Sequence, residues 1–526
     1  MIAVSNLKLE PGEDEAKLKS LAAKALHIPE GRIQALTIRK KSLDARKKDD
    51  LKWIYTVGVT VDGDEGKLLA KCRQASAVKP YHYDIPKVES ETRPVVVGFG
   101  PAGMFAALVL AYAGARPIVL ERGQDVDRRT AQVEAFRAGG AFDPENNVQF
   151  GEGGAGTFSD GKLNTSTHDG RIFWVLREFA AHGAPERVTW EAKPHIGTDV
   201  LVDVVRSIRE EIVALGGEVR FGARLDGLVA EDGALAALRV TRAGEETLLP
   251  CRRLILAVGH SARDSFEMLH ALGVPMERKS FSMGLRIEHR QEDIDRAQYG
   301  RPRGKLPPAD YSLSVHLPDG NSAYTFCMCP GGKVFAAASE GGGVVTNGMS
   351  YSDRGGENAN AALLVTLRAE DFPGEGVLAG MRWQRELERA AYRYTGSYRA
   401  PAQLAGDFLA RRKSAGPGRV TPSYEPGVVW GELHAFLPER VTDVLEQAIP
   451  ALGQKLRGFD DPEAVLTAPE TRSSSPVRIL RDGTLQSALR GLYPCGEGAG
   501  YAGGITSAAV DGMRCAEAVL QAMQNE

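Results

Sequence analysis

A chain of 526 residues, 43% hydrophobic and 25% charged, carries enough apolar material for two or three packed domains of ordinary globular composition. Its net charge of −3 gives no whole-molecule electrostatic case for nucleic acid or an anionic membrane. Six scattered cysteines do not form a secreted disulfide framework, no stretch approaches roughly 18 uninterrupted apolar residues, and the first residues lack the regions of a signal peptide, so the expected address is cytoplasmic with no membrane contact.

Residues 1–88 read as a small α+β unit, with a strand at 2–9, an amphipathic helix at 14–26 and strands at 33–41 and 53–61. Between them Lys40, Lys41, Arg46, Lys47 and Lys48 mix with Asp44, Asp49 and Asp50. That mixture suits a solvated hairpin better than a nucleic-acid patch, so no nucleic-acid partner is expected. Pro80 and Pro86 bracket an expected linker.

Val95-Val96-Val97 then reads as a strand buried on both faces. Gly98, Gly100 and Gly103 follow in G-x-G-x-x-G spacing, and an Ala/Leu-rich helix is predicted over 104–113. The first glycine makes the tight turn, the second lets backbone approach a pyrophosphate, and the third lets helix and strand pack closely. The phosphates belong at the helix N-terminus, where free N–H groups and the dipole favour negative charge. A second strand over 117–120 ends at Glu121, placed to accept both ribose hydroxyls. Strand, glycines, helix, strand and acid in that order predict a dinucleotide site. Pro101 and Ala102 between the glycines, and Arg122 after the acid, complete its expected ADP half.

Residues 149–165, QFGEGGAGTFSDGKLNT, fit neither helix nor strand and read as a loop moulded around a ligand. A helix at 199–215 and strands at 218–221, 227–231, 235–241 and 253–258 follow, the last breaking at Ala257-Val258-Gly259-His260. From about 280 to 465 the alternating segments 282–288, 312–317, 323–328 and 334–339 predict an antiparallel sheet. Helices are predicted beside it at 358–367, 380–392 and 439–456. Near the C-terminus a strand at 492–494 breaks at Cys495-Gly496-Glu497, and Gly503-Gly504-Ile505-Thr506 opens a helix with small residues at Ala508, Gly512 and Ala516.

With these pieces in order, the chain resembles the FAD-dependent oxidoreductases of the glutathione-reductase-like superfamily. More narrowly, it resembles uncharacterised bacterial NAD(FAD)-utilising dehydrogenases. The resemblance implies that FAD is the dinucleotide, held at its ADP end by Gly98, Gly100, Gly103 and Glu121. It further implies Ala257 and Gly259 near the cofactor, Gly496 and Glu497 at the ribityl chain, and Gly504, Ile505 and Thr506 at the flavin's N1–C2=O edge. The general pattern has Asp where Glu497 stands. Gly154, Thr157, Ser159 and Lys162 of the glycine loop are implied to embrace the flavin.

The implied fold class is α/β: a FAD-binding Rossmann-like three-layer domain at 93–280 and 466–526, an inserted antiparallel-sheet cap or substrate domain at 281–465, and the small α+β domain at 1–88. No second strand-bound G-x-G-x-x-G offers a dedicated nicotinamide domain, so NAD(P)H is expected only as a transient electron donor.

Lys162, as a cation near flavin, and His260, as a proton carrier, are the candidate catalytic residues. Arg472 and Arg478 are candidates for an anionic substrate. No metal-binding cluster is expected, and Cys327 and Cys329 are read as buried structural thiols. The expected activity is hydride or electron transfer between flavin N5 and a small substrate or pyridine nucleotide. The alternatives are a flavoenzyme acting on RNA through the N-terminal domain and a flavin-binding sensor with little turnover.

Overall fold

The computed structural model describes residues 1–525. Its organising element is a five-stranded parallel sheet, ordered in space as Leu492–Pro494, Leu254–Leu256, Val95–Val97, Ile118–Glu121 and Glu218–Phe221. Alternation along these short strands sends side chains to two different layers. Val96, Val119, Ile255 and Tyr493 pack with the helices Pro101–Tyr112, Arg171–Ala181, Thr198–Ala214 and Ile505–Gln524. Val95, Val97, Ile118, Leu120, Leu254, Leu256 and Leu492 pack instead on a three-stranded antiparallel sheet spanning Ala223–Glu231, Ala234–Arg242 and Glu245–Pro250. Both faces of the parallel sheet are thereby buried, which is why its strands read as continuous apolar runs.

A second body is a seven-stranded sheet ordered Ser314–His316, Ser322–Cys329, Asn358–Leu367, Phe281–Arg290, Val465–Glu470, Ala400–Leu404 and Val428–Trp430. The helix Glu439–Gly453 covers one face with Val441, Val444, Leu445, Ala448, Ile449 and Leu452. Here the structure corrects one predicted element. Asn358–Leu367 is a strand, paired antiparallel with Phe281–Arg290 on one side and Ser322–Cys329 on the other. Its Ala/Leu content suggests a helix, but nine of its ten residues are buried and two neighbours satisfy its backbone, so tertiary context overrides propensity. The strand Val465–Glu470 also extends this sheet past residue 465.

The N-terminal residues form a four-stranded sheet ordered Ile33–Asp44, Lys52–Val61, Ile2–Leu9 and Ala75–Ala77, with the helix Lys17–Leu26 packed on it. The charged run is the expected hairpin. Lys41 reaches Glu15 at 2.6 Å and lies over Trp53, while Arg46 pairs with Asp44 and Lys52 with Glu10. The expected linker is not loose: Val88 N–H donates to Ala113 O at 2.9 Å, and the Tyr83 hydroxyl donates to Glu517 at 2.7 Å. Tyr83, Ile85 and Val88 pack on the helical layer, so this stretch is held by apolar burial although it has no regular structure. Among the described residues, no helix is long and apolar enough to cross a membrane.

Candidate active site: one cavity between two sheets

The turn after Val97 is built by glycine geometry. Gly98 has φ +93°, and a Cβ there would lie 2.3 Å from Ala257 O. A Cβ on Gly103 would lie 1.9 Å from Gly98 O, so the helix can start against the strand only without a side chain. Gly100 is the N-cap and Pro101 the first residue of the helix Pro101–Tyr112, and no side chain caps its first amides.

Gln149–Thr165 is lashed to this turn. Gly153 N–H donates to Phe99 O, and Arg129, fully buried, donates to Asn147 O, Val148 O and Glu152 O at 2.6–2.9 Å. These bonds fix the opening of the loop, and Arg129 is a scaffold residue that sequence reasoning missed.

Gly98, Gly100, Pro101, Ala102, Glu121, Arg122, Gly154, Ser159, Lys162, Ala257, Gly259, His260, Arg472, Gly496, Glu497, Gly504 and Ile505 all line a single cavity of about 480 Å³. Most of the predicted constellation is thus brought together. Four predicted residues do not face it. Gly103 is spent on helix–strand packing, and Thr157 is buried with its hydroxyl donating to Glu152 O. Thr506 is buried and donates to Leu163 O at 2.7 Å, while Arg478 pairs with Glu277 at 2.9 Å.

Two further expectations are corrected in detail. The Glu121 carboxylate is buried and already accepts the N–H groups of Phe99, Gly123 and Gly151 at 2.8, 2.9 and 2.9 Å. With about four acceptor directions on a carboxylate, it retains one for a ribose hydroxyl rather than two. Arg472 is not free to capture a substrate, because Glu388 takes its guanidinium at 2.8 and 3.0 Å and Ser339 takes another N–H. Burial would raise the Glu388 carboxyl, but Arg263 and Arg472 together hold it well below the carboxylate range. Arg122 likewise pairs with Glu145 and Asp264 while its edge lines the cavity.

Titratable groups along the wall are poised differently. Burial, followed by the charges of Arg472 and Arg263, pulls His260 down to about 3, so the imidazole is neutral at physiological pH. Its Nε2 lies 3.6 Å from Glu497, whose carboxyl burial pushes up to about 7. Glu470 is also pushed up to about 7 by burial, even against Arg286 at 2.7 Å. Lys162 Nζ sits 3.7 Å from Asp160, which Arg354 also holds.

The far wall comes from the seven-stranded sheet, which supplies Phe326 and Glu470, and from segments beside it, which supply Tyr311, Asn347 and Arg354, residues that local motifs did not flag. It also exposes Cys327 to the cavity, correcting its reading as a buried structural thiol. Elsewhere, the potential ligand atoms of Cys495, Asp511 and Cys515 lie within 4.8 Å of one another, but Arg481 already donates to both Asp511 oxygens at 2.6 and 3.0 Å.

Residues 280–473 match the family described as FAD-dependent protein, C-terminal domain-like, and residues 1–60 match a domain of unknown function. An uncharacterized protein of Clostridium beijerinckii is 46% identical over 530 residues, covering 99% of this chain and 98% of that one. The chain belongs to that protein's family.

Solved structures align at much lower similarity. They include the flavin-dependent brominase Bmp2 at 12% identity, covering 83% of this chain and 80% of that one with a TM-score of 0.38. A geranylgeranyl bacteriochlorophyll reductase-like protein from Thermoplasma acidophilum aligns at 13%, covering 82% and 81% with a TM-score of 0.37. Likenesses this distant say nothing about the reaction.

FAD is the cofactor that the FAD-dependent match over residues 280–473 indicates, and the cavity fits it. A Cβ on Gly259, Gly503 or Gly504 would meet nothing within 4 Å, and one on Gly100 only Gly154 Cα at 3.6 Å, so bare backbone faces open space. Two helix N-termini without side-chain caps, at Gly100 and Gly504, open on that space. Such ends suit a pyrophosphate and a flavin carbonyl edge.

Proposed function

We propose that the protein is an FAD-dependent oxidoreductase, a dehydrogenase or reductase, that moves an electron pair between its flavin and a small substrate or NAD(P)H. The observation that carries this reading is the shared cavity. Its one wall is the glycine turn and the Gln149–Thr165 loop, and its other is a polar, titratable face of the second sheet. Bound FAD supplies the two-electron chemistry, exchanging a hydride equivalent at N5.

The chain's own residues then hold and bias it. The Gly100–Ala102 backbone receives the pyrophosphate, Glu121 takes one ribose hydroxyl, and the amides opening the helix Ile505–Gln524 meet the flavin's pyrimidine edge. Lys162 adds positive charge to that cavity wall. Glu497, poised near neutrality beside an uncharged His260, is the group suited to hold or release a proton at physiological pH. Arg472 acts through Glu388 as a positioning residue for the wall that a substrate faces.

Purified protein should be yellow and release FAD on heating, and anaerobic NADH or NADPH should bleach its flavin. FAD that neither donor reduces removes the nicotinamide arm of this reading. A protein that stays colourless after reconstitution with FAD removes all of it.

A further inference from the structure

Cys327 occupies an unusual backbone position. The strand Ser322–Cys329 keeps register with Asn358–Leu367 up to Phe326↔Ala362 and regains it only at Cys329↔Asn360, a bulge of one extra residue. At that bulge Cys327 adopts φ +42°, a left-handed conformation uncommon for a side-chain-bearing residue. Such outliers concentrate where function requires them.

The bulge changes what two cysteines at i and i+2 can do. On a regular strand their Cα atoms stand about 6.6–6.8 Å apart, the upper limit of a disulfide's span. In the folded chain the two residues are in contact across the bulge: the Cys329 thiol donates to Cys327 O at 3.2 Å and also lies within hydrogen-bonding reach of the Cys327 sulfur. Arg286, itself fully buried, donates to the same carbonyl at 2.9 Å and fixes the bulge. Cys327 reaches the cavity, while Cys329 is buried behind it.

We propose that Cys327 and Cys329 are a redox-active dithiol that exchanges two electrons with the flavin bound in the same cavity. The proposal rests on the FAD oxidoreductase reading and adds a second redox centre to it. In the oxidising direction two S–H bonds break and one S–S bond forms. The electron pair and one proton pass to oxidised flavin, and the second proton leaves to solvent. In the other direction reduced flavin returns the pair and the disulfide opens to two thiols. Cys327 is the exchanging sulfur and Cys329 the resolving one.

The surroundings agree with that division of labour. The hydrogen bond from Cys329 lowers the Cys327 thiol, with Arg286 and Lys162 acting in the same direction, while Cys329 is raised. Tyr311 lines the same wall, and its buried hydroxyl has no hydrogen-bond partner among the described residues.

The test uses the FAD-loaded full chain. After treatment with diamide and alkylation under denaturing conditions, peptide mass spectrometry should find Cys327 and Cys329 unalkylated and about 2 Da lighter together, with the other four cysteines alkylated. Anaerobic dithionite titration of that oxidised protein should take about four electrons per FAD, falling to about two in Cys329→Ser and in Cys327→Ala. The wild-type peptide map needs no variant, so a poorly folding substitution leaves the test intact. Alkylation of both cysteines after diamide, with about two electrons taken per FAD, overturns this proposal while leaving the oxidoreductase reading in place. A chain that binds no FAD overturns both.

Discussion

Glu121 shows how one side chain can serve the chain and the cofactor together. As a ribose acceptor alone, its loss would weaken only FAD binding. With three N–H donors on its carboxylate, it also ties the glycine turn to the Gln149–Thr165 loop. Glu121→Ala strands three buried donors, each bond to a charged group being worth about 1.5–3 kcal/mol. Urea unfolding should therefore show a loss of at least about 3 kcal/mol, with FAD affinity weaker by roughly tenfold or more. Glu121→Gln is not the mild change that a ribose contact alone would imply. Both oxygens accept from backbone, so the amide NH₂ must face at least one N–H, and about 1–3 kcal/mol should be lost. Wild-type unfolding in Glu121→Gln would mean that the three-way tie does not form.

At the scale of elements, the cofactor turn depends on how closely two helices approach. Ile505–Gln524 crosses Pro101–Tyr112 at Gly512, where a Cβ would lie 2.0 Å from Ala102 O. Ala102 lines the cavity, so helix separation there is felt at the site. Gly512→Ala should cost about 1–3 kcal/mol through overpacking, read by chemical denaturation, and should weaken FAD retention on gel filtration. A variant as stable as wild type and equally loaded would show that the helices do not approach so closely. The small residues Ala508, Gly512 and Ala516 advertise this contact in the sequence, because spacing of four places them on one helix face. Asn358–Leu367 carries no such advertisement. A strand buried on both faces loses the alternation that distinguishes it from a helix.

Across the whole molecule, the N-terminal unit is fastened to both other bodies. Leu51 is buried in the core of the seven-stranded sheet, Lys41 exchanges backbone hydrogen bonds with Trp190 and Ala192, and Tyr83 and Val88 are held by the helical layer. A chain starting at Lys79 keeps the last of these contacts, whereas one starting at Ser90 loses them all. The shorter chain should melt at a lower temperature than the Lys79 chain, and the Lys79 chain should retain FAD, both followed by flavin fluorescence on heating. Equal melting of the Ser90 chain and the full-length protein would mean that residues 79–89 add nothing to the dinucleotide-binding body.

The sequence by itself determined the parallel-sheet body, the glycine turn, the glycine loop and the C-terminal helix opening. Each is written in local terms, as conformations only glycine adopts freely, strand runs and helix faces whose meaning holds within some thirty residues. Tertiary structure alone decided what those parts face. Gln149–Thr165, Ser322–Cys329 and Val465–Glu470 lie far apart in the chain, and only folding brings their side chains to one cavity. It also decided which polar groups are already engaged: Arg472 by Glu388, Glu121 by three amides, Thr157 and Thr506 by carbonyls. A burial that removes water forces each polar group to find a partner, and partners distant in sequence leave no periodic mark by which they can be read.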